Sequence, residues 1–293
     1  MKLKYITVVF FLINNYLYSQ TIFGKVKDSI TNKPLELVNI AYLEENYGTS
    51  TDKEGYFKIN LINFNKIQIS SVGYVTKIIT LEKYNKNENY LLNILLIPRI
   101  EDLEEIIISV KKIKYSSAKV IGPKKTLKVR TSLPFGYEFC SLIKNNFNKK
   151  GKIKSVILNL NKAKEYDYLA SYNIKFYKYD NVNKVPSDEI YHKNLIIEPE
   201  NKTYKLKIDV DSLSIPFPIE GICVGIEVVN TKYKKPINRM AIIAPKINFT
   251  HTDFEILTWK RYRNKEWKTG TTKSQVRKDF VNALTNLEIR LKK

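Results

Sequence analysis

The chain is short of the residue types on which metal and nucleophile chemistry most often draws. Its 293 residues include only two cysteines, two histidines, two methionines and two tryptophans. His192 and His251 stand outside any H-x-x-E, H-E-x-x-H or Cys/His pattern with metal spacing, so the ligand set of a zinc hydrolase is missing. There is no G-x-S-x-G elbow, no G-x-G-x-x-G and no Walker loop; Gly122-Pro123-Lys124-Lys125-Thr126 is only superficially like the last. These gaps lead us to expect no cofactor, no metal and no catalytic residue. After the N-terminus no segment approaches about eighteen consecutive apolar residues, so no transmembrane helix is expected there.

Acidic residues are also scarce beside basic ones, 29 against 50, giving a formal charge of +21. The excess is uneven. Residues 20–98 carry nine lysines and eight carboxylates, a net of +1, whereas residues 99–293 carry 39 basic and 21 acidic residues, a net of +18. A pI near 9.6 raises nucleic-acid or anionic-surface binding. The lysines are dispersed, however, and Lys, Asn and Ile are abundant together, which points to a compositional habit rather than a nucleic-acid face.

What is present begins with a targeting pattern. Lys2 and Lys4 precede an apolar run from Tyr5 to Ile13, and a small residue, Ser19, stands where cleavage would fall. Residues 1–19 therefore read as a signal peptide. The apolar run is about half the length of a spanning helix, and no Cys follows it for lipid attachment. The expected product is exported, in the periplasm or at the outer membrane or cell surface, with no transmembrane span after signal cleavage. In an oxidising compartment Cys140 and Cys223 have two alternatives, a disulfide or two buried free thiols.

From Thr21 the chain alternates short apolar runs with Asn, Gly, Asp and Pro. Strands are expected at Thr21–Val26, Leu37–Tyr42, Tyr56–Ile59, Lys66–Ser70, Val75–Leu81 and Leu91–Ile97, with room for a seventh near Tyr47–Thr51. Asp28 to Pro34 is turn chemistry, and Asp52 is expected to bond its own turn backbone. Phe57, Tyr74, Val38 and Ile40 are candidate core. The motif residues run Gly24, Val26, Asp28; Thr31; Pro34-Leu35; Val38-Asn39-Ile40; Gly48-Thr49; Thr51-Asp52; Gly55; Phe57; and Ser70-Ser71-Val72-Gly73-Tyr74. In this order they resemble the carboxypeptidase regulatory-like domain of Bacteroidota proteins. The resemblance implies a transthyretin-like, seven-strand Greek-key sandwich over residues 20–98. Such domains are accessories, so it implies no catalytic residue.

Residues 99–130 read as a linker: acidic at Glu101–Glu105, a short β run at Ile106–Val110 that would pair with one of the domains, then basic to Arg130. The L-E-E-I-I-I pattern resembles the segment that follows this domain in TonB-dependent outer-membrane receptors. The residues that remain are too few, and lack the strand series, for such a barrel.

Residues 131–293 carry further strand-like runs at Lys152–Leu160, Tyr172–Tyr179, Leu195–Ile197, Thr203–Val210, Ile222–Val229, Met240–Ala244, Phe254–Tyr262 and Leu287–Leu291. Their number and spacing predict a jelly-roll-like β-sandwich, so the whole protein is expected to be all-β. Gln275–Leu284 is the one helix candidate. GYEF at Gly136, IKSVILNL at Ile153, IKFYKYDNVNKVPSDEI at Ile174, VGIEVV at Val224 and RYRNKEWKTG at Arg261 are similar to the C-terminal region of a group of exported Bacteroidota proteins of unestablished molecular function.

Three features are candidates for function. Trp259, Arg261, Tyr262 and Arg263 with Trp267 bring aromatics beside cations, as sugar- and anion-binding surfaces do. In a strand Trp259, Arg261 and Arg263 would face one way and Lys260 and Tyr262 the other; the bland alternative is that both tryptophans plug the core. Asp209 with Asp211, or Asp253 with Glu255, share a strand face at the spacing of an acid–base or calcium pair, a spacing that solvated faces produce constantly. Asp28-Ser29-Ile30 and Asp211-Ser212-Leu213 resemble an O-glycosylation signal of exported Bacteroidota proteins. The expected function is non-catalytic: a binding or scaffolding module for an envelope protein or surface glycan. The alternatives are carbohydrate recognition by the second domain and a peptidase or glycosidase using strand carboxylates.

Overall fold

The computed structural model describes residues 21–62, 65–81, 90–99, 113–124, 129–232, 241–252, 255–273 and 279–293. Residues 1–20, which include the expected signal peptide, the run Ile106–Val110, Met240, Asp253, Phe254 and the start of the helix candidate lie outside these residues. The alternation seen in the first hundred residues becomes seven strands: β1 (Thr21–Asp28), β2 (Asn39–Tyr42), β3 (Gly48–Ser50), β4 (Tyr56–Asn60), β5 (Lys66–Ser70), β6 (Lys77–Thr80) and β7 (Tyr90–Leu96). They form two sheets, ordered β4-β1-β7 and β3-β2-β5-β6, with β1 and β7 parallel. Ile22, Val26, Ile40, Tyr42, Phe57, Ile59, Ile67, Ile69, Ile94 and Leu96 fill the space between them.

The turn chemistry behaves as expected. Asp28 Oδ1 accepts the N–H groups of Ile30 and Thr31, both at 2.8 Å, and its Oδ2 accepts the Tyr74 hydroxyl at 2.8 Å. The Thr31 N–H and the Tyr74 hydroxyl hold the Asp28 carboxyl below its ordinary range. Burial together with this bond pushes the Tyr74 hydroxyl up to about 12. Asp52 Oδ1 likewise accepts the N–H groups of Glu54 at 3.0 Å and Tyr56 at 2.8 Å.

The second domain is a larger antiparallel sandwich. One sheet runs β14 (Val185–Glu189), β13 (Ser171–Asp180), β18 (Ile222–Val229), β10 (Tyr137–Ile143), β21 (Thr258–Tyr262) and β22 (Lys268–Thr269), with β15 (Ile196–Ile197) beside β13. The other runs β23 (Thr272–Lys273), β24 (Phe280–Ala283), β20 (Lys246–Thr252), β11 (Gly151–Asn161), β25 (Thr285–Leu291) and β8 (Lys119–Ile121). Off that path, β16 (Tyr204–Asp209) and β17 (Pro216–Phe217) pair with β11, and β9 (Val129–Thr131) pairs with β20. A short parallel pair joins β12 (Tyr168–Leu169) to β19 (Ile243–Ala244). Between the large sheets lies a dry core that includes Phe139, Ile153, Val156, Leu158, Ile174, Phe176, Phe217, Val224, Ile226, Phe249, Leu287 and Ile289.

Two local readings change. The helix candidate is a strand at its end: Phe280–Ala283 pairs with Thr252–Phe249, and Asn282 is buried with its amide nitrogen bonded to Thr252 Oγ1 and the Glu255 carbonyl. Among the described residues the helical element is a single 3₁₀ turn, Asp211–Leu213. Lys119–Ile121, within the stretch expected to be a linker, and Val129–Thr131, across its end, lie as edge strands on the second sandwich. No helix among the described residues is long and apolar enough to cross a membrane.

Candidate functional site at the domain seam

The two middle strands of the first domain's inner sheet, β2 and β5, are buried on both faces over most of their length. Along β2, Asn39 to Tyr42 are all buried, and along β5 so are Ile67 to Ser70. Ile40, Tyr42, Ile67 and Ile69 point into their own sandwich; Asn39 and Gln68, on the other side, meet the second domain. Asn39 Nδ2 donates to Glu227 Oε1 at 2.8 Å, and Gln68 Nε2 donates to the Asn264 carbonyl at 2.9 Å. Arg263 reaches back through its Nη1 to Asn39 Oδ1 at 2.8 Å, the Thr49 carbonyl at 2.6 Å and Ser50 Oγ at 2.5 Å. Gly73, with φ of +78°, lies so near His192 that an added Cβ would stand 2.5 Å from its carbonyl oxygen.

Register explains what waits on the facing sheet. Glu138 on β10 pairs with Arg261 on β21 and Glu227 on β18, and Glu227 pairs with Asn173 on β13. The next row on that face is Trp259, Cys140, Gly225 and Lys175. Gly225 is where the chemistry converges: a Cβ there would lie 2.2 Å from Glu138 Oε1 and 2.8 Å from the Tyr177 ring. In that space Glu138 accepts the Tyr177 hydroxyl at 2.7 Å and Arg261 Nε at 2.8 Å, while Lys175 Nζ stands 3.7 Å away and binds Glu227 at 2.8 Å. Arg261 also donates through Nη2 to the Tyr177 oxygen at 2.6 Å.

Two carboxylates and two cations thus neutralise one another beneath the first domain, with Glu138, Glu227 and Lys175 each under 5% exposed. Burial works against the charge on Lys175, yet Glu138 and Glu227 overrule it and raise its pKa. Burial likewise pushes Glu227 up, and Lys175 more than offsets this, leaving its carboxyl below the ordinary value. Arg261 is held charged by Glu138 against the same burial, and burial pushes the Tyr177 hydroxyl well above its usual range. Such a cluster is costly to break and a poor source of labile protons. A cavity of about 10 Å³ lies beside it, lined by Asn39, Ser70, Asn173, Lys175, Glu189 and Glu227 among others.

The aromatic–cation group singled out from sequence is brought together, but not as an open platform. Trp259 is 3% exposed and packs on Tyr179; Tyr262 stacks against Tyr137, and Arg263 is buried in the seam. Trp267 is half-buried, edge-on to Tyr177, with the Arg261 guanidinium 4.0 Å from its ring. Trp259 and Arg261 share a face, as strand alternation requires, while Arg263 turns away at φ of +43°. The tryptophans lie outside the main core, in a small cluster with Leu142, Cys140 and Cys223.

Cys140 and Cys223 are free and fully buried. Cys140 stands opposite Gly225 and Cys223 opposite Leu142, so they are diagonal neighbours on adjacent strands and their thiols meet. Burial first, and the Cys223 thiol next, push Cys140 far above its ordinary pKa. Of the strand carboxylates, Asp211 binds Lys152 at 2.7 Å and Arg290 at 3.1 Å, and Asp209 accepts the Asp211 N–H at 2.9 Å. His251 Nδ1 lies 2.8 Å from Asp279. Among the described residues no group of three His, Cys, Asp or Glu side chains is placed to hold a metal.

One open cleft was not anticipated. About 240 Å³ in volume, it is lined by Phe135, Tyr166, Asp167, Tyr168, Ser171 and Thr231 among others. Phe135 and Tyr168 pack at 5.6 Å, Tyr166 is exposed, and the Ser171 and Thr231 hydroxyls are 2.7 Å apart. No single motif carries these residues; the cleft forms where β12, β13 and the end of β18 meet.

The fold is all-β, with small N-terminal sheets seated on larger C-terminal antiparallel sheets and a buried charge cluster at the seam. Residues 22–108 match the CarboxypepD_reg-like domain family, so the chain carries that regulatory-like module, which is typically non-catalytic. No curated protein matches. Among solved structures, the chain is similar to the cysteine protease and lectin-like domains of Cwp84, a surface layer associated protein of Clostridium difficile. That likeness has a TM-score of 0.39 and 11% identity, and it covers 60% of this chain and 36% of that one. Cwp84 after propeptide cleavage gives 0.37 and 10%, covering 85% of this chain and 49% of that one. A DUF3823 family protein from Bacteroides uniformis ATCC 8492 gives 0.18 and 10%, covering 92% and 98%. The matches thus span half or less of the two Cwp84 chains.

Proposed function

We propose that this chain is an exported, non-catalytic binding or scaffolding protein of the cell envelope, in the periplasm or at the outer membrane, acting on a partner protein or surface glycan. The observation that carries the reading is the seam. Glu138, Glu227, Lys175 and Arg261 neutralise one another within the second domain, and Glu227 ties this group to the first domain by accepting from Asn39. Their arrangement favours a rigid two-domain unit over a proton-transfer site, which requires groups poised near neutral pH. Capture from the native envelope tests it, with hydrolysis assays on peptide and glycoside panels run on the same preparation. The expected result is one saturable envelope ligand and no turnover. Turnover that disappears in Asp209→Asn would instead establish the hydrolase.

A second reading, carbohydrate recognition by the second domain, is favoured by the cleft at Tyr166 and Asp167 rather than by the Trp259–Trp267 group, whose Trp259, Tyr262 and Arg263 are buried. Aromatic rings beside carboxylate and hydroxyl groups suit a sugar's apolar face and its hydroxyls. A glycan array should then show signal lost in Tyr166→Ala and retained in Trp267→Phe; a blank array rules the sugar out.

A further inference from the structure

The outer face of the sheet β4-β1-β7 looks away from the second domain, which covers the opposite sheet through Asn39 and Gln68. Its register builds a lattice. Phe23 lies between Lys58 and Leu91, and Lys25 lies between Tyr56 and Asn93, so ring and cation alternate among these four residues of β1 and β4, with the leucines of β7 beside them. Lys58 Nζ is 5.1 Å from the centre of the Phe23 ring, and Lys25 Nζ is 4.2 Å from that of Tyr56. Beyond them Lys27 pairs with Leu95. Leu91 is 70% exposed, Tyr56 49%, Leu95 47% and Phe23 36%. No carboxylate projects from this face of the three strands, so Lys25, Lys27 and Lys58 share it with no acid among the strand residues beside them.

We infer that this face docks on an anionic lipid surface. Apolar and aromatic side chains would enter the interfacial layer while the lysine stems snorkel and place their ammonium groups against phosphates. A second copy of the chain is disfavoured as occupant because self-pairing would set lysines against lysines. A partner protein would anchor side chains in pockets, whereas here the rings and leucines themselves project, and both cavities described above are lined by other residues. The inference goes beyond the proposed function and does not depend on its ligand.

The test is co-sedimentation of the full chain lacking only the apolar leader with phosphatidylglycerol-containing and pure phosphatidylcholine vesicles. Binding is expected on the anionic vesicles, weakened by salt. Each lysine removed should weaken it about fivefold, so Lys25→Ala with Lys58→Ala costs about twenty-five-fold. Leu91→Asn with Leu95→Asn should cost about tenfold or more, and the control pair Lys162→Ala with Lys205→Ala on the second domain at most about twofold. In the unmodified chain, vesicles should protect Lys25, Lys27 and Lys58 from acetylation, a readout that needs no variant. No vesicle binding, or equal loss in the control pair, overturns the inference. Polyglutamate binding that is indifferent to the leucine pair overturns it in favour of an acidic protein.

Discussion

The side-chain amide of Asn39 in the first domain donates to the buried carboxylate of Glu227 in the second at 2.8 Å, across a separation of 188 residues. Asn39 belongs to the V-N-I run of the regulatory-like motif, yet its polar atoms serve the neighbouring domain: Nδ2 meets Glu227 and Oδ1 meets Arg263. The two domains are therefore expected to share stability. Glu227→Ala removes the nearer carboxylate of the buried Lys175 and should cost about 3–5 kcal/mol; Asn39→Ala should cost about 1–3 kcal/mol. In urea unfolding the double variant should fall short of the sum by about 0.5–3 kcal/mol. Strict additivity would show that the amide and the carboxylate are uncoupled.

Arg263 serves three acceptors on the first domain from one nitrogen, held by a turn at positive φ. Arg263→Lys lacks the planar fork and should fail to restore what Arg263→Ala loses. Limited proteolysis would read this as faster cleavage between residues 99 and 113 in both variants.

Gly225 is expected to tolerate no side chain. Gly225→Ala places a methyl on the Glu138 carboxylate and should destabilise by about 1–3 kcal/mol or more. In a Glu138→Ala background the added cost of Gly225→Ala should shrink, because the oxygen it meets is gone. Thermal melts of the four proteins decide it, and an undiminished cost would point to the Tyr177 ring as the obstacle.

Acid sensitivity should map to Glu288. The Lys207 ammonium, Ser155 hydroxyl and Lys154 ammonium hold its carboxyl at about 2, against an ordinary value of 4.5. A depressed carboxyl contributes stability that is full above the unfolded value and is lost as pH falls through the folded one. Glu288→Gln should thus be less stable than the parent at pH 7, and the gap should close between about 4.5 and 2. Urea midpoints across that window measure it; a constant gap would assign the loss to packing.

Cys140 and Cys223 should be silent to a thiol reagent in the native protein and yield two equivalents on unfolding, since both are buried out of the reagent's reach and burial also raises the Cys140 thiol. Reaction of either thiol under native conditions would mean that the Trp259 cluster opens.

Much of the fold was legible because its signals are local. Tyr56 to Asn60 alternates exposed and buried as its sequence implies, and Asp28 and Asp52 close the turns their positions suggest. Lys246–Thr252 went unread as a strand although Ile247 and Phe249 alternate, because the run is short and follows Pro245. Phe280–Ala283 read as helix because nearby charged residues mimic an amphipathic period over so few positions; pairing with β20 overrides it.

The site was harder to read, and the reason is physical. Sequence by itself determined that the chain builds β-sandwiches and lacks the patterned ligands and nucleophiles of the common hydrolases. It could not determine which outward strand face would be covered. Asn39 and Gln68 on one sheet, and Phe23 and Tyr56 on the other, all stand at outward positions of alternating strands, yet the first pair is buried and the second is open. That choice depends on contacts between residues nearly two hundred positions apart, such as Asn39 with Glu227, which no period of 2 or 3.6 encodes. The tertiary structure alone decided that Arg263 would be spent inside the seam, that Trp259 and Arg261 would be buried within the second domain, and that the lysines and aromatics on the outer sheet of the first domain would be left facing outward.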